Sequence, residues 1–525
     1  MIRLRQVKVL VSKNNLKEEI SKKLKIKIND IKNIKIVKKS IDSRFKPNNY
    51  YVYEVDVSVD NEDKLLKKLN DNDIFKTPIE EYKYVPIGIN KLNNKIIIVG
   101  SGPSGLFCGY ILSSYGYKVL IIERGSDVDT RINKVNKFWE DNILDKECNV
   151  QFGEGGAGTF SDGKLNTLIK DKNFRMKKVF QIFVENGAKE DIMYENKPHI
   201  GTDILVSVVK NMRNKILENG GEIRFNTKLT NIEYENNKLK SIIVNNNEEI
   251  RCECLVLAIG HSARDTFKML YENNINMEPK PFAIGVRIQH PQELINNNQY
   301  GKNYDKCLEN ASYKLTHTCK NKRGVYTFCM CPGGYVVNSS SEDGMLAING
   351  MSYHARDSKV ANSAVIVTVG PKDFGNNPLD GVEFQRKLET ITYKVGSGLI
   401  PTQNFSDFIV NKKSTKLVIE PKFKGNYKLA NLNEILPDYI VDSLKEGIIE
   451  FDKKIKGFAS SAIISAIESR TSSPIRIIRN ECLESNIKGI YPCGEGAGYA
   501  GGITSSAMDG IKIAEEIMKK YRNGR

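Results

Sequence analysis

The hexapeptide Gly100-Ser101-Gly102-Pro103-Ser104-Gly105 follows directly on the apolar run Ile96-Ile97-Ile98-Val99. Glycine in the first place permits a tight turn, in the third it lets backbone come close to a pyrophosphate, and in the sixth it lets the next helix pack on the strand. The free amides at the N-terminus of that helix, expected from Leu106 to about Tyr115, form a seat for anionic phosphate, with Pro103 and Ser104 in the turn that leads into it. A second apolar run, Val119-Leu120-Ile121-Ile122, then delivers Glu123 and Arg124. Glu123 stands 21 residues beyond Gly102, the spacing at which a carboxylate accepts from an adenosine ribose. A glycine turn alone is a common loop. Strand, glycines, helix, strand and acid in this order predict a dinucleotide site.

NAD would be satisfied by that unit, whereas the longer FAD requires the chain to return to the far end of the cofactor. Three segments are suited to the return. Gly153-Glu154-Gly155-Gly156-Ala157-Gly158-Thr159-Phe160-Ser161-Asp162-Gly163 is dense in glycine, so the backbone around Gly155, Gly156, Gly158 and Thr159 can close on a ring or phosphate; the plain alternative is a surface loop. Leu255–Ile259 is a buried strand ending at Gly260, as parallel strands do where they open onto a ligand crevice. Near the C-terminus Gly494, Glu495, Gly501, Gly502 and Ile503 lead into an amphipathic helix from about Thr504 to Lys519, whose N-terminus would set positive potential at the flavin pyrimidine edge.

With these motifs in place, the chain resembles the uncharacterised FAD-dependent dehydrogenases, a branch of the glutathione-reductase-type flavoproteins. The turn GSGPSGL, the stretch GEGGAGTFSDGKL, the segment AIGHSARD and the terminal GIYPCGEGAGYAGGITSSAMDG carry the resemblance over most of residues 95–525, and a small basic N-terminal domain goes with it. The resemblance implies one dinucleotide fold holding FAD, with Gly100, Gly102 and Gly105 at the pyrophosphate, Glu123 at the ribose, and Gly494 and Glu495 at the ribityl or pyrophosphate. The wider superfamily has Asp where this chain has Glu495.

Chemistry at the flavin needs side chains from elsewhere. Cys329 and Cys331 would share one face of a strand and could present a thiol pair, or be inert core cysteines. Cys252 and Cys254 read as core, and two CxC pairs do not make a zinc knuckle, so no metal centre is expected. Arg287, His354, Arg356, Arg470 and Arg476 are candidates to clamp a carboxylate or relay a proton, and Lys164 could reach the flavin or a substrate anion. Each also has a plain reading as a salt-bridged or solvated side chain. No second strand-linked glycine fingerprint follows, so NAD(P)H, if it is the diffusible electron donor, would dock directly at the flavin.

These residues must be positioned by an α/β fold: a Rossmann-like FAD-binding domain in two parts, 93–270 and 456–525, a mixed α+β substrate domain inserted at 271–455, and a ferredoxin-like α+β domain at 1–92. The last expectation comes from strand, helix, strand and helix patterns at 2–11, 16–24, 50–59 and 62–69. A chain of 525 residues has room for several cores, and 40% hydrophobic with 27% charged residues is globular composition. No stretch is apolar enough for a membrane span or signal peptide, and ten scattered cysteines fit a reducing compartment, which together predict a cytoplasmic protein.

The net charge of +16 is concentrated early, residues 1–95 holding 22 Lys and Arg against 13 Asp and Glu. RNA is one partner for such a module, but no aromatic-rich RNA-binding motif accompanies the charge, so solvated lysine faces are favoured. The expected activity is hydride transfer between FAD and a small-molecule substrate. The alternatives are a flavoprotein that acts on RNA and a flavin-binding redox sensor that does not turn over.

Overall fold

The protein is described from a computed structural model, over residues 1–13 and 15–523. Its first unit alternates strands Ile2–Leu10, Asn33–Asp42, Tyr50–Ser58 and Ile74–Lys76 with helices Leu16–Leu24 and Glu62–Leu69. The strands form one antiparallel sheet in the spatial order second, third, first, fourth. A bulge between Leu4 and Val7, with Gln6 in the left-handed region at φ 53°, resets the alternation so that Ile2, Leu4, Val7 and Val9 all point into the core. Two strands were not read from the sequence. In Asn33–Asp42 the apolar positions are half-buried, or exposed at Ile41, and lysines hold the solvent side, so its period is weak.

The segment after this unit lies along the C-terminal helix Ile503–Lys520. Gly88 donates to the Met518 carbonyl at 2.7 Å, and a Cβ there would stand 2.4 Å from the Lys519 carbonyl oxygen. Only glycine fits so close an approach.

At the centre is a five-stranded parallel sheet, in the order Ile490–Pro492, Leu255–Leu257, Ile96–Val99, Val119–Ile122, Glu222–Arg224. Its apolar runs are continuous because both faces are covered. Ile96, Ile98, Val119 and Ile121 face helices, among them Pro103–Ser114 and Ile503–Lys520, while Ile97, Val99, Leu120 and Ile122 face a three-stranded antiparallel layer formed by residues 229–251. The helix expected from Leu106 begins at Pro103 instead, since proline lacks an amide proton the first turn would leave unpaired anyway.

A second, seven-stranded sheet packs beside the first, in the order Thr316–Thr318, Gly324–Cys331, Val360–Val369, Phe282–Pro291, Ile463–Glu468, Ile400–Asn404, Tyr427–Leu429. Strand Ile463–Glu468 lies inside this sheet, paired with Phe282–Pro291 and Ile400–Asn404. The chain therefore returns to the parallel sheet later than the expected residue 456, because an internal strand of the large sheet must be completed first. Among the described residues no helix is long and apolar enough to cross a membrane.

Candidate active site

The glycine turn sits where the parallel strands end. Gly100 is left-handed at φ 100°, and a Cβ on it would lie 2.3 Å from the Ala258 carbonyl oxygen; one on Gly105 would lie 1.9 Å from the Gly100 carbonyl oxygen. Gly105 thus packs helix against strand and does not reach the cleft, whereas Gly100, Gly102, Pro103 and Ser104 line it.

Glu123 lines the same cleft and is buried. One carboxylate oxygen accepts from the Ser101 amide at 2.9 Å and the Ser101 hydroxyl at 2.8 Å, the other from the amides of Gly125 at 2.9 Å and Gly153 at 3.0 Å. The acid expected at the ribose therefore already ties two glycine loops together. Arg124 beside it lies 4.1 Å over the Phe152 ring and is held by Glu147 and Asp265.

The second glycine loop is organised by a residue the sequence reading passed over. Arg131 is fully buried and donates to the carbonyls of Asn149, Val150, Gly153, Glu154 and Gly156, at 2.7 to 3.2 Å. Burial without a carboxylate partner pulls its pKa down to about 10, so it stays charged at neutral pH. Gly156 and Gly158 face the cleft; Gly155 and Thr159 do not, because Thr159 Oγ1 fills the space where a Gly155 side chain would stand. Glu154 accepts from the Val128 amide and Arg213, its other oxygen has no partner among the described residues, and burial pushes it up to about 7.

The C-terminal return contributes Glu495, Gly501, Gly502 and Ile503 to the cleft, with Gly260 opposite. Gly494 lies behind it: its amide donates to Asp509 at 2.8 Å, Asp509 is clamped by Arg479, and a Cβ on Gly494 would meet Ser104 Oγ at 2.5 Å. Next to Gly260 is His261, which lines the cleft with Nδ1 3.6 Å from Glu495 Oε1 and a buried Nε2 without a partner among the described residues. Burial beside Arg470 and Arg264 drops its pKa to about 3, so the ring is neutral, while burial raises Glu495 to about 7. His261 adjoins the expected Gly260, and that adjacency was the only signal in the sequence.

At the other end the large sheet supplies Phe328, Cys329, Cys331 and Glu468 to the wall, with Arg470 just beyond its strand, Asn349 from a small three-stranded sheet, and Asp162 and Lys164 from the end of the second glycine loop. The two cysteines do not share one strand face as expected: the register slips after Phe328, Cys329 is left-handed at φ 42°, and the bulge leaves Cys329 exposed and Cys331 buried. Desolvation raises the buried Cys331 thiol, and Cys329, open to the cleft but ringed by protein, is raised as well, opposite to what a thiolate nucleophile needs.

Arg287 stands behind this wall, fully buried, paired with Glu468 at 2.9 Å and donating to the Cys329 carbonyl. Arg470 and Arg264 share Glu389, which two guanidiniums hold well below the usual carboxylate range. Arg356 pairs with Asp162, whose other partners are Ser352 and, 3.9 Å away, Lys164. His354 is outside the cleft, stacked on His199 at 5.1 Å and bonded to Lys189, and Arg476 pairs with Glu278 near the surface.

The cleft, its open mouth included, spans about 1510 Å³. A phosphate seat at one end, an aromatic–guanidinium pair flanking Glu123, and the partnerless His261 Nε2 and Glu495 at the other give a long cofactor polar partners along its length. These residues fit FAD.

Residues 281–471 match the model of an FAD-dependent protein, C-terminal domain-like, residues 98–151 an NAD(P)-binding Rossmann-like domain, and residues 1–58 a domain of unknown function. An uncharacterised protein of Clostridium beijerinckii is 52% identical over 516 residues, 97% of this chain and 96% of its own. Among solved structures, glycine oxidase from Bacillus cereus aligns over 82% of this chain and 99% of its own at 12% identity and a TM-score of 0.34, and the halogenase PltM with FAD over 83% and 72% at 10% and 0.38. Likeness that loose says nothing about the reaction. The clostridial relative and the domain matches are decisive: the chain belongs with that protein in a family of FAD-dependent oxidoreductases that joins a Rossmann-like dinucleotide domain to an FAD-dependent C-terminal-type domain.

Proposed function

We propose that the protein exchanges a hydride between FAD and a small anionic substrate, and that the flavin end of its cleft is the end lined by Lys164, Cys329 and Glu468. The observation that carries this reading is that the glycine turn at 100–105, the loop at 153–163 and the turn at 494–503 all open on one cleft, whose far wall adds Cys329 and Glu468 from a different sheet to Lys164 at the end of the second loop. In this reading Gly100, Gly102, Pro103 and Ser104 hold the pyrophosphate, Glu123 with Arg124 the adenosine ribose, and Glu495, Gly501, Gly502 and Ile503 the ribityl chain and ring. FAD when bound supplies two-electron hydride chemistry.

The chain's own residues set the substrate class. Asp162 and Glu468 are neutralised from behind by Arg356 and Arg287, which leaves Lys164 and Arg470 to meet an anion. Glu495, its pKa raised by burial to about 7, exchanges a proton at Oε1 with solvent or with substrate. One dinucleotide unit is present and FAD uses it, so NAD(P)H acts as donor by docking at the flavin.

Several finer readings go with this one. The strand order of the first sheet and its two helices support a ferredoxin-like domain, and the interruption of the parallel sheet by the seven-stranded one supports an inserted substrate domain. The glycine turn with a C-terminal return supports the glutathione-reductase-type superfamily. The many free thiols support a cytoplasmic setting.

Anaerobic stopped-flow mixing of the yellow holoprotein with NADH and with NADPH tests the proposal. Bleaching of the flavin band by one of them within seconds is expected. A flavin that dithionite reduces but neither nucleotide does would remove the NAD(P)H-linked reading.

A further inference from the structure

Away from the cleft, the edge of the seven-stranded sheet brings together three side chains that the flavin chemistry does not use. Strand Thr316–Thr318 carries His317, Cys319 follows two residues on and so lies toward the same side, and helix Asp438–Asp452 crosses above them with Glu446. His317 Nε2 is 3.0 Å from Glu446 Oε1, and one ligand atom from each of His317, Cys319 and Glu446 lies within 4.8 Å of the other two. None of the three lines the flavin cleft.

We propose that His317, Cys319 and Glu446 form a zinc-type divalent metal site that staples the edge strand of the large sheet to the helix above it. Nitrogen, sulfur and carboxylate oxygen together are a borderline donor set that suits Zn²⁺ and does not suit the oxygen-seeking Mg²⁺ or Ca²⁺. Metal bonds of about 2.0–2.3 Å in a tetrahedron place ligand atoms roughly 3.3–3.7 Å apart, so the widest separation, up to 4.8 Å, needs to close and the His317–Glu446 pair at 3.0 Å to open slightly, through side-chain torsions. One thiolate and one carboxylate balance the dication, with His317 neutral.

The surroundings orient the ligands as outer-shell groups do. The Lys320 amide donates to both Glu446 oxygens at 3.1 and 3.3 Å. The turn after Cys319 is closed by Lys322 to Cys319 and Cys319 to Arg323 backbone bonds, and Asn321 anchors it to Ser443 on the helix. Water would complete the four-coordinate shell. The sequence predicts no metal centre, because its two CxC pairs do not make a zinc knuckle; the His317, Cys319 and Glu446 set carries no spacing signal, its third member standing 129 residues from the first. The physical benefit is local: an edge strand presents unpaired backbone groups, and a cross-link to the covering helix keeps it docked.

A plain His317–Glu446 hydrogen bond makes no use of Cys319, and that difference is the test. The holoprotein is stripped with a chelator, equilibrated with Zn²⁺ or Co²⁺, desalted, and assayed for metal per chain by plasma mass spectrometry. One equivalent of Zn²⁺ is expected, and with Co²⁺ a thiolate-to-cobalt charge-transfer band in the near ultraviolet. Cys319→Ser and His317→Ala should each weaken binding at least tenfold while keeping a full complement of flavin, and Cys482→Ser should bind as the parent does. Zn²⁺ should raise the melting temperature of the parent and leave that of Cys319→Ser unchanged. Less than a tenth of an equivalent of metal in the parent, a cobalt complex without the sulfur band, or undiminished binding by Cys319→Ser would each overturn the proposal. The cobalt spectrum of the parent decides even where a variant fails to fold.

Discussion

The Glu123 carboxylate accepts from the Gly153 amide at 3.0 Å, so the acid that ends the second strand of the dinucleotide unit also fastens the second glycine loop. Its other oxygen holds Ser101 in the first loop. Glu123→Gln keeps the volume but turns one acceptor into a donor facing two amides or the Ser101 pair. Losing charge-assisted hydrogen bonds costs about 1.5–3 kcal/mol, which predicts FAD affinity lower by roughly 10- to 150-fold, read by flavin fluorescence on dilution. Unchanged affinity would show that the loops stand without it.

What could be read from the sequence follows from how local each signal is. The 100–123 unit was legible because strand, turn, helix, strand and acid are consecutive, and each glycine answers a backbone constraint within a few residues. Arg131 was not, because its partners are five carbonyls that every residue type offers. Gly494, Gly155 and Thr159 were expected at the cofactor from their motifs, yet they pack behind the wall, since in a glycine-rich loop only some glycines face the ligand and the rest admit neighbouring backbone. The His261–Glu495 and Arg287–Glu468 pairs join residues far apart in the chain, and no spacing rule finds such pairs.

Arg131→Met leaves five buried carbonyls short of donors, and since one unsatisfied buried acceptor costs about 1–3 kcal/mol, the loss is expected at the top of that range or above it. Arg131→Lys should not rescue it, because an ammonium offers three donors where the guanidinium offers five in a fixed fork. Both variants should release flavin at lower temperature than the parent in a melt followed by flavin fluorescence. A methionine variant that melts with the parent would show that the loop does not depend on Arg131.

Glu154 and Glu495 both carry pKa values raised to about 7 by burial. A carboxyl raised in the folded state holds its proton there while the unfolded chain has released it, so the folded state binds more protons between roughly pH 4.5 and 7 and stability falls as pH rises through that window. Glu154→Gln and Glu495→Gln should each flatten this slope, measured as urea midpoints of the holoprotein at successive pH values, and the double variant should flatten it further. A slope of opposite sign, or one untouched by both substitutions, would contradict the burial argument.

Lys164 differs from the other charged residues of the far wall in what stands behind it. Arg356 makes bonded contacts to Asp162, Arg287 to Glu468, and Arg264 and Arg470 to Glu389, whereas Lys164 stands 3.9 Å from an Asp162 that already serves Arg356 and Ser352. Its ammonium is therefore the cation with most capacity left for a ligand. Lys164→Met keeps the stem and removes the charge, so flavin content and melting temperature should stay at parental values. A simple carboxylate such as benzoate, titrated while the flavin spectrum is followed, should bind the variant at least tenfold more weakly, because a buried charge-assisted contact is worth about 1.5–3 kcal/mol. Parental benzoate affinity in the variant would move the anion site elsewhere, with Arg470 the next group to substitute. Loss of flavin in the variant would instead place Lys164 among the residues that hold the cofactor.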